Sequence, residues 1–209
     1  LEVQAGTLVG LVRYGGISGV LAVGERLFAL QRAADPRQRM LLADVIEQVE
    51  QPSLAQLILP LLEDTNLEVR ERALISARKV RHPRVARALV EALSDRRARS
   101  RATMALSEMG DVLIPIIQAA LKEDAYPSPV VIRILRAIGD DASELVISIL
   151  SKSLDHADSD IQMQVLRTLR SNHFRPNGQE EILLQKMLGE EVGRVLFTRN
   201  FEQLKLRPP

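Results

Sequence analysis

Residues Ser53 to Arg81, SLAQLILPLLEDTNLEVRERALISARKVR, read as two amphipathic helices joined by a short polar turn. Leu54, Leu57, Ile58, Leu61 and Leu62 recur at the i, i+3, i+4, i+7, i+8 positions that make one apolar stripe. Ser53 with Gln56 reads as a capping box at the start of this helix, and Thr65 with Glu68 as a second one after the turn Glu63-Asp64-Thr65-Asn66. The second helix places Val69, Ala73, Ala77 and Val80 on one face. A lone hairpin cannot hide both stripes, so neighbouring copies are expected on either side.

They are present. A turn aspartate recurs as Asp35, Asp64, Asp95, Asp124 and Asp155, at spacings of 29, 31, 29 and 31. The apolar pairs closing each second helix are Ile46/Val49, Ala77/Val80, Leu106/Met109, Leu135/Ile138 and Leu166/Leu169, at spacings of 31, 29, 29 and 31. Two independent markers with one period signal a stacked-repeat architecture. The expected fold is all-α, a right-handed α-α superhelix of about five helical hairpins with terminal caps. The expected units are 17–50, 51–81, 82–110, 111–139 and 140–171, preceded by a Gly-rich entry at 1–16 and followed by a helical cap and tail at 172–209.

Local signals fill in these units. The entry is glycine-rich and should be loosely helical, broken near Gly15-Gly16. Val20, Leu21, Leu27 and Leu30 supply the first stripe, and Leu42, Ile46 and Val49 the second. Asp35-Pro36 with Gln38 marks a capped helix start. Pro60 should kink its helix, whereas Pro115 falls in a first turn, where proline is tolerated. Ser128 before Pro129 reads as a cap, as do Asp141 and Glu144. After Pro176-Asn177-Gly178 the span Glu180 to Lys205 reads as a closing helical segment, with Phe197 and Phe201 one turn apart.

These residues resemble HEAT repeats: an apolar first helix, Asp in the turn, and Val69-Arg70 opening the second helix ahead of Ala73. The hydrophobic-Gly closes Met109-Gly110 and Ile138-Gly139 fit as well. The period of about 30 is shorter than the ~40–47 of larger HEAT units, and is similar to compact bacterial repeats of the phycobilin lyase-like kind. The entry from Tyr14 to Leu27 also resembles the start of HEAT segments that follow an ATP/ADP translocase-like domain in some bacterial membrane proteins. Together with ends that read as those of a fragment, that resemblance implies a cytosolic module of a larger protein, with a protein partner or flanking domains as its ligand.

Composition narrows the chemistry. The 209 residues contain no Cys, which excludes disulfides and thiolate metal sites, and a net charge of +1 argues against a general polyanion binder. No apolar run reaches the ~20 residues that span a bilayer, and no signal peptide is evident, so a cytoplasmic location is expected. Charge is uneven along the chain, however. Residues 70–101 carry a net charge of +8, leaving −7 for the remainder. The basic residues gather at two loci. Arg78, Lys79, Arg81 and Arg84 surround the connection between units two and three, and Arg96, Arg97, Arg99 and Arg101 surround the turn inside unit three. They read either as a docking surface for an acidic protein face, anionic lipid or nucleic acid, or as solvated helix ends.

Catalytic and metal chemistry find little footing. Some HEAT-like proteins are DNA glycosylases, which need aromatics beside a basic groove. The full aromatic set is Tyr14, Phe28, Tyr126, Phe174, Phe197 and Phe201, and none lies in the basic run. His82, His156 and His173 are too scattered for a zinc motif. Asp140, Asp141, Asp155, Asp158 and Asp160 lack the closing Glu of a calcium loop and suit helix caps better. Gly15, Gly16 and Gly19 carry no phosphate-binding signature. No catalytic residue, metal or cofactor is therefore expected. The function implied is a non-catalytic interaction scaffold whose stacked second helices line a concave surface, with anionic-ligand binding or a lyase- or glycosylase-like enzyme as the alternatives.

Overall fold

The computed structural model describes residues 2–122, 125–139, 142–186 and 189. Every element among the described residues is helical. The helices are α1 (Glu2–Tyr14), α2 (Gly16–Gln31), α3 (Pro36–Val49), α4 (Ala55–Leu62), α5 (Leu67–Ala77) and α6 (Pro83–Ala92). They continue with α7 (Arg99–Ser107), α8 (Ile114–Lys122), α9 (Ser128–Ala137), α10 (Glu144–Ser151), α11 (Ser159–Ser171) and a segment at 178–186, α12. Single 3₁₀ turns, Pro52–Leu54 and Gly110–Leu113, lead into α4 and α8.

Antiparallel pairing joins α2 to α3, α4 to α5, α6 to α7, α8 to α9 and α10 to α11. The second helices then stack in one series, α3 on α5, α5 on α7, α7 on α9 and α9 on α11. This is an α-α solenoid. The stripes legible in the sequence form its core: Leu42, Ile46, Ile58, Val69, Ala73 and Leu135 are fully shielded from solvent. One continuous apolar cluster runs from Ala5 to Leu169, so each hairpin is stabilised by its neighbours.

The entry differs from the expected loose segment. α1 is a 13-residue helix with Ala5, Val9 and Val12 buried, and it packs on both α2 and α3. Its place beside α3 is that of one more second helix, so it covers the open end of the stack. The break does fall at Gly15, for a steric reason: a Cβ there would sit 2.7 Å from the Gly19 Cα and closer still to the Leu11 carbonyl oxygen. Glycine at 15 and 19 is what lets the α1–α2 corner close. Gly110 and Gly139, with φ of 57° and 71°, hold the left-handed position that ends a second helix, which explains the two hydrophobic-Gly closes.

Several caps are placed differently from the sequence reading. The cap of α5 is Asn66, not Thr65; its side chain accepts from the N–H groups of Glu68 and Val69. Ser53 caps nothing, because the 3₁₀ turn delays α4 to Ala55. Ser128 is already helical and spends its hydroxyl on Asp158 of the next unit, 2.5 Å away. Asp35 and Asp158 cap as their types suggest. His82 and His156 act as turn acceptors, Nδ1 of each receiving a backbone N–H two residues on. Asp124, Asp140 and Asp141, the side chains of Val20 and Leu21, and Phe197, Phe201 and most of the closing segment to Lys205 lie outside the described residues.

Candidate binding surface

The stacked second helices present a row of side chains whose register follows from their caps. Arg72, Met104 and Arg133 occupy one position of α5, α7 and α9, six residues past the cap. Three residues further on, Arg136 and Arg167 share a position of α9 and α11. Charge divides this row into two halves.

Between the second helices of units one to three, Arg72, Arg78, Lys79 and Arg101 are matched by carboxylates. Arg72 pairs with Asp44 and with Glu47 at 2.8 Å. Arg78 reaches Glu47 at 2.8 Å and Glu108 at 3.3 Å, spanning α3 to α7. Its hydrogen bond to Glu47 raises the guanidinium pKa despite partial burial, and the charge of Glu108 adds to the effect. Lys79 meets Glu108 at 3.4 Å and Glu50 at 3.6 Å, and Arg81 donates to the Glu108 carbonyl at 3.0 Å. Arg101 pairs with Glu71 at 3.1 Å. At the turn end, Arg39 grips Asp64 with two hydrogen bonds of 2.6 and 3.0 Å.

The residues named from sequence therefore separate. Arg78, Lys79 and Arg81 converge on Glu108 and serve as inter-helix ties. Arg84 is exposed on the first helix α6, and Arg96 and Arg97 are exposed in the turn after it. Arg99 donates to the Leu93 carbonyl at 3.1 Å. The two loci stand at opposite ends of the ten-residue α6, a span of about 15 Å at 1.5 Å per residue. They do not form one patch.

In units four and five the balance reverses. The α9 sequence SPVVIRILRA has two arginines and no acid, and α11 has Arg167 and Arg170 against Asp160. Arg133 donates to its own helix at Pro129, and Arg136 to Gln164 of α11 at 3.3 Å; neither forms an ion pair among the described residues. Burial depresses the Arg133 pKa, and the like charges of Arg99 and Arg136 depress it further. Arg133 and Arg136 sit one turn apart on α9 with no acid on that helix. Met104 is 62% exposed and Met163 46% exposed beside them. Counting charge along the chain misses this pair, because the dense run at 70–101 dominates.

A cleft of about 350 Å³ lies elsewhere, at the turn end of units two and three, with Glu63, Glu71, Glu91 and Asp95 facing Arg70 and Arg97 over Leu67 and Leu74. No aromatic lines it, and no cluster of metal-ligating side chains occurs among the described residues.

With this geometry in place, comparison with known proteins is informative. Residues 25–107 match the HEAT repeats family. These residues carry HEAT repeats. The match runs from within α2 to the end of α7, and helices stacked in the same way continue in α8 to α11 beyond it. No curated protein matches the chain. Among the described residues, no helix is long and apolar enough to cross a membrane.

Proposed function

We propose that the chain is a non-catalytic protein-binding scaffold whose contact surface is the second-helix row of units three to five. HEAT repeats commonly mediate protein–protein interaction, and one observation selects this part of the row. Its neighbours are tied by ion pairs, whereas half-buried Arg133 and exposed Arg136 have no carboxylate partner among the described residues, and the helices on either side of α9 carry exposed methionines. The partner is either a separate protein or a flanking domain of the same polypeptide. A scaffold role needs no convergent acid, base and nucleophile, and the acids of the unit two–three cleft lack the aromatic surface that a base-handling enzyme requires.

Photo-crosslinking tests this reading. A crosslinking residue at Met104 or Met163 should trap a protein partner, while the same residue at Phe28 or Leu145, exposed on first helices, should not. Adducts from the first-helix positions alone would refute the assignment.

A further inference from the structure

Resting on that reading, the chemistry of the partner follows from what this surface lacks. Between the second helices of units one to three, Arg72, Arg78, Lys79 and Arg101 each have a carboxylate of a neighbouring unit within reach. Arg133 and Arg136 of α9 have none among the described residues. Like charges held together disfavour one another, and an incoming anion relieves that repulsion as well as forming its own bonds. The guanidinium fork matches a carboxylate with two parallel hydrogen bonds.

We propose that Arg133, Arg136 and Arg167, in the row bounded by Met104 and Met163, bind an extended peptide segment in which every second residue is acidic. The dimensions agree. Packed helices lie about 8–10 Å apart, so the row from α7 to α11 spans about 16–20 Å, the length of five or six extended residues at about 3.3 Å each. In such a segment alternate side chains point to the same side, which sets carboxylates toward the arginines at a regular interval. A nucleic acid fits less well, since the row carries no aromatic for base stacking.

The test uses the whole chain and a fluorescein-labelled octapeptide of alternating Glu and Leu, followed by anisotropy. The double variant Arg133→Gln, Arg136→Gln should bind at least tenfold more weakly. The control double variant Arg84→Gln, Arg87→Gln removes the same charge from exposed positions of α6 and should change affinity less than twofold. Arg133→Lys, which keeps the charge and loses the fork, should fall between. Circular dichroism confirms equal helicity, and removing a mutually repelling arginine should not lower the melting temperature. Equal loss in both double variants would overturn the proposal. So would binding no tighter than that of a Gln–Leu peptide, or a polyphosphate or single-stranded RNA probe binding this row at least as tightly. If the crosslinks at Met104 form while the acidic peptide fails, the partner chemistry is wrong and the scaffold role stands.

Discussion

Replacing Asp64 with alanine should destabilise the protein by about 3 kcal/mol, because it strands a buried cation. Arg39 donates to Asp64 at 2.6 and 3.0 Å, and the Asn66 N–H donates to the same carboxylate at 2.8 Å. Their side chains are only 14% and 7% exposed. Arg39 also donates to the carbonyls of Ala33 and Ala34, so one guanidinium ties the turn of unit one to the turn of unit two. Breaking a buried pair from one side costs about 3–5 kcal/mol; slight solvent access favours the lower end. For a chain of this size that corresponds to a fall in melting temperature of about 6–12 °C, read by circular dichroism at 222 nm. Removing Arg39 as well should cost less than the sum of the single changes. Burial pushes the Asp64 carboxyl up, but the Arg39 and Asn66 hydrogen bonds and the charges of Arg39 and Arg70 outweigh it, leaving the pKa below its ordinary value. Since the folded pKa is depressed, the stabilisation is present above the unfolded value of about 3.9 and fades as pH falls through the folded one. The gap between wild type and Asp64→Ala should therefore stay constant from pH 8 to about 5 and close below that. A cost under about 1 kcal/mol, or a gap that widens in acid, would refute the reasoning.

Other perturbations have equally definite outcomes. Gly139→Ala meets no atom within 4 Å, so its cost of about 1 kcal/mol is backbone strain alone; chemical denaturation should show it with an unchanged m-value. Val12→Asp puts a carboxylate into the buried side of α1 and should undock that helix, unfolding the backbone around the already exposed Arg13 so that trypsin cuts there faster while the remaining repeats melt cooperatively. Asn172→Ala removes the amide that bridges the Gly139 carbonyl at 2.9 Å and the Ala142 N–H at 2.7 Å; hydrogen exchange should then quicken in α10 and α11 before it does elsewhere.

The fold was legible because burial imposes periodicity. Leu54, Leu57, Ile58 and Leu61 had to lie on one face, and the turn aspartates Asp35, Asp64 and Asp95 each accept a backbone N–H two residues on, Asp64 holding Arg39 of the preceding unit as well. The caps were less legible. Thr65 and Asn66 are both good capping residues, and which one caps depends on where the turn releases the chain. α1 was obscured by its glycines, whose helix penalty is offset by packing of Val9 and Val12 against the stack. The candidate surface was the least legible of all. Sequence gives the position of a charge but not its partner, so Arg78 and Lys79 stand out in the chain and vanish into ion pairs in the fold. Arg133 and Arg136, two ordinary arginines in the chain, become the uncompensated ones.

That contrast sets the decisive comparison. The acidic octapeptide should be titrated against two charge-reversed variants side by side, Arg133→Glu, Arg136→Glu and Arg78→Glu, Lys79→Glu, under conditions where both remain helical. If the unpaired row is the binding surface, the first variant loses binding and the second retains it within a few-fold. Loss in the second variant with retention in the first would place the site on the ion-paired half and contradict the assignment.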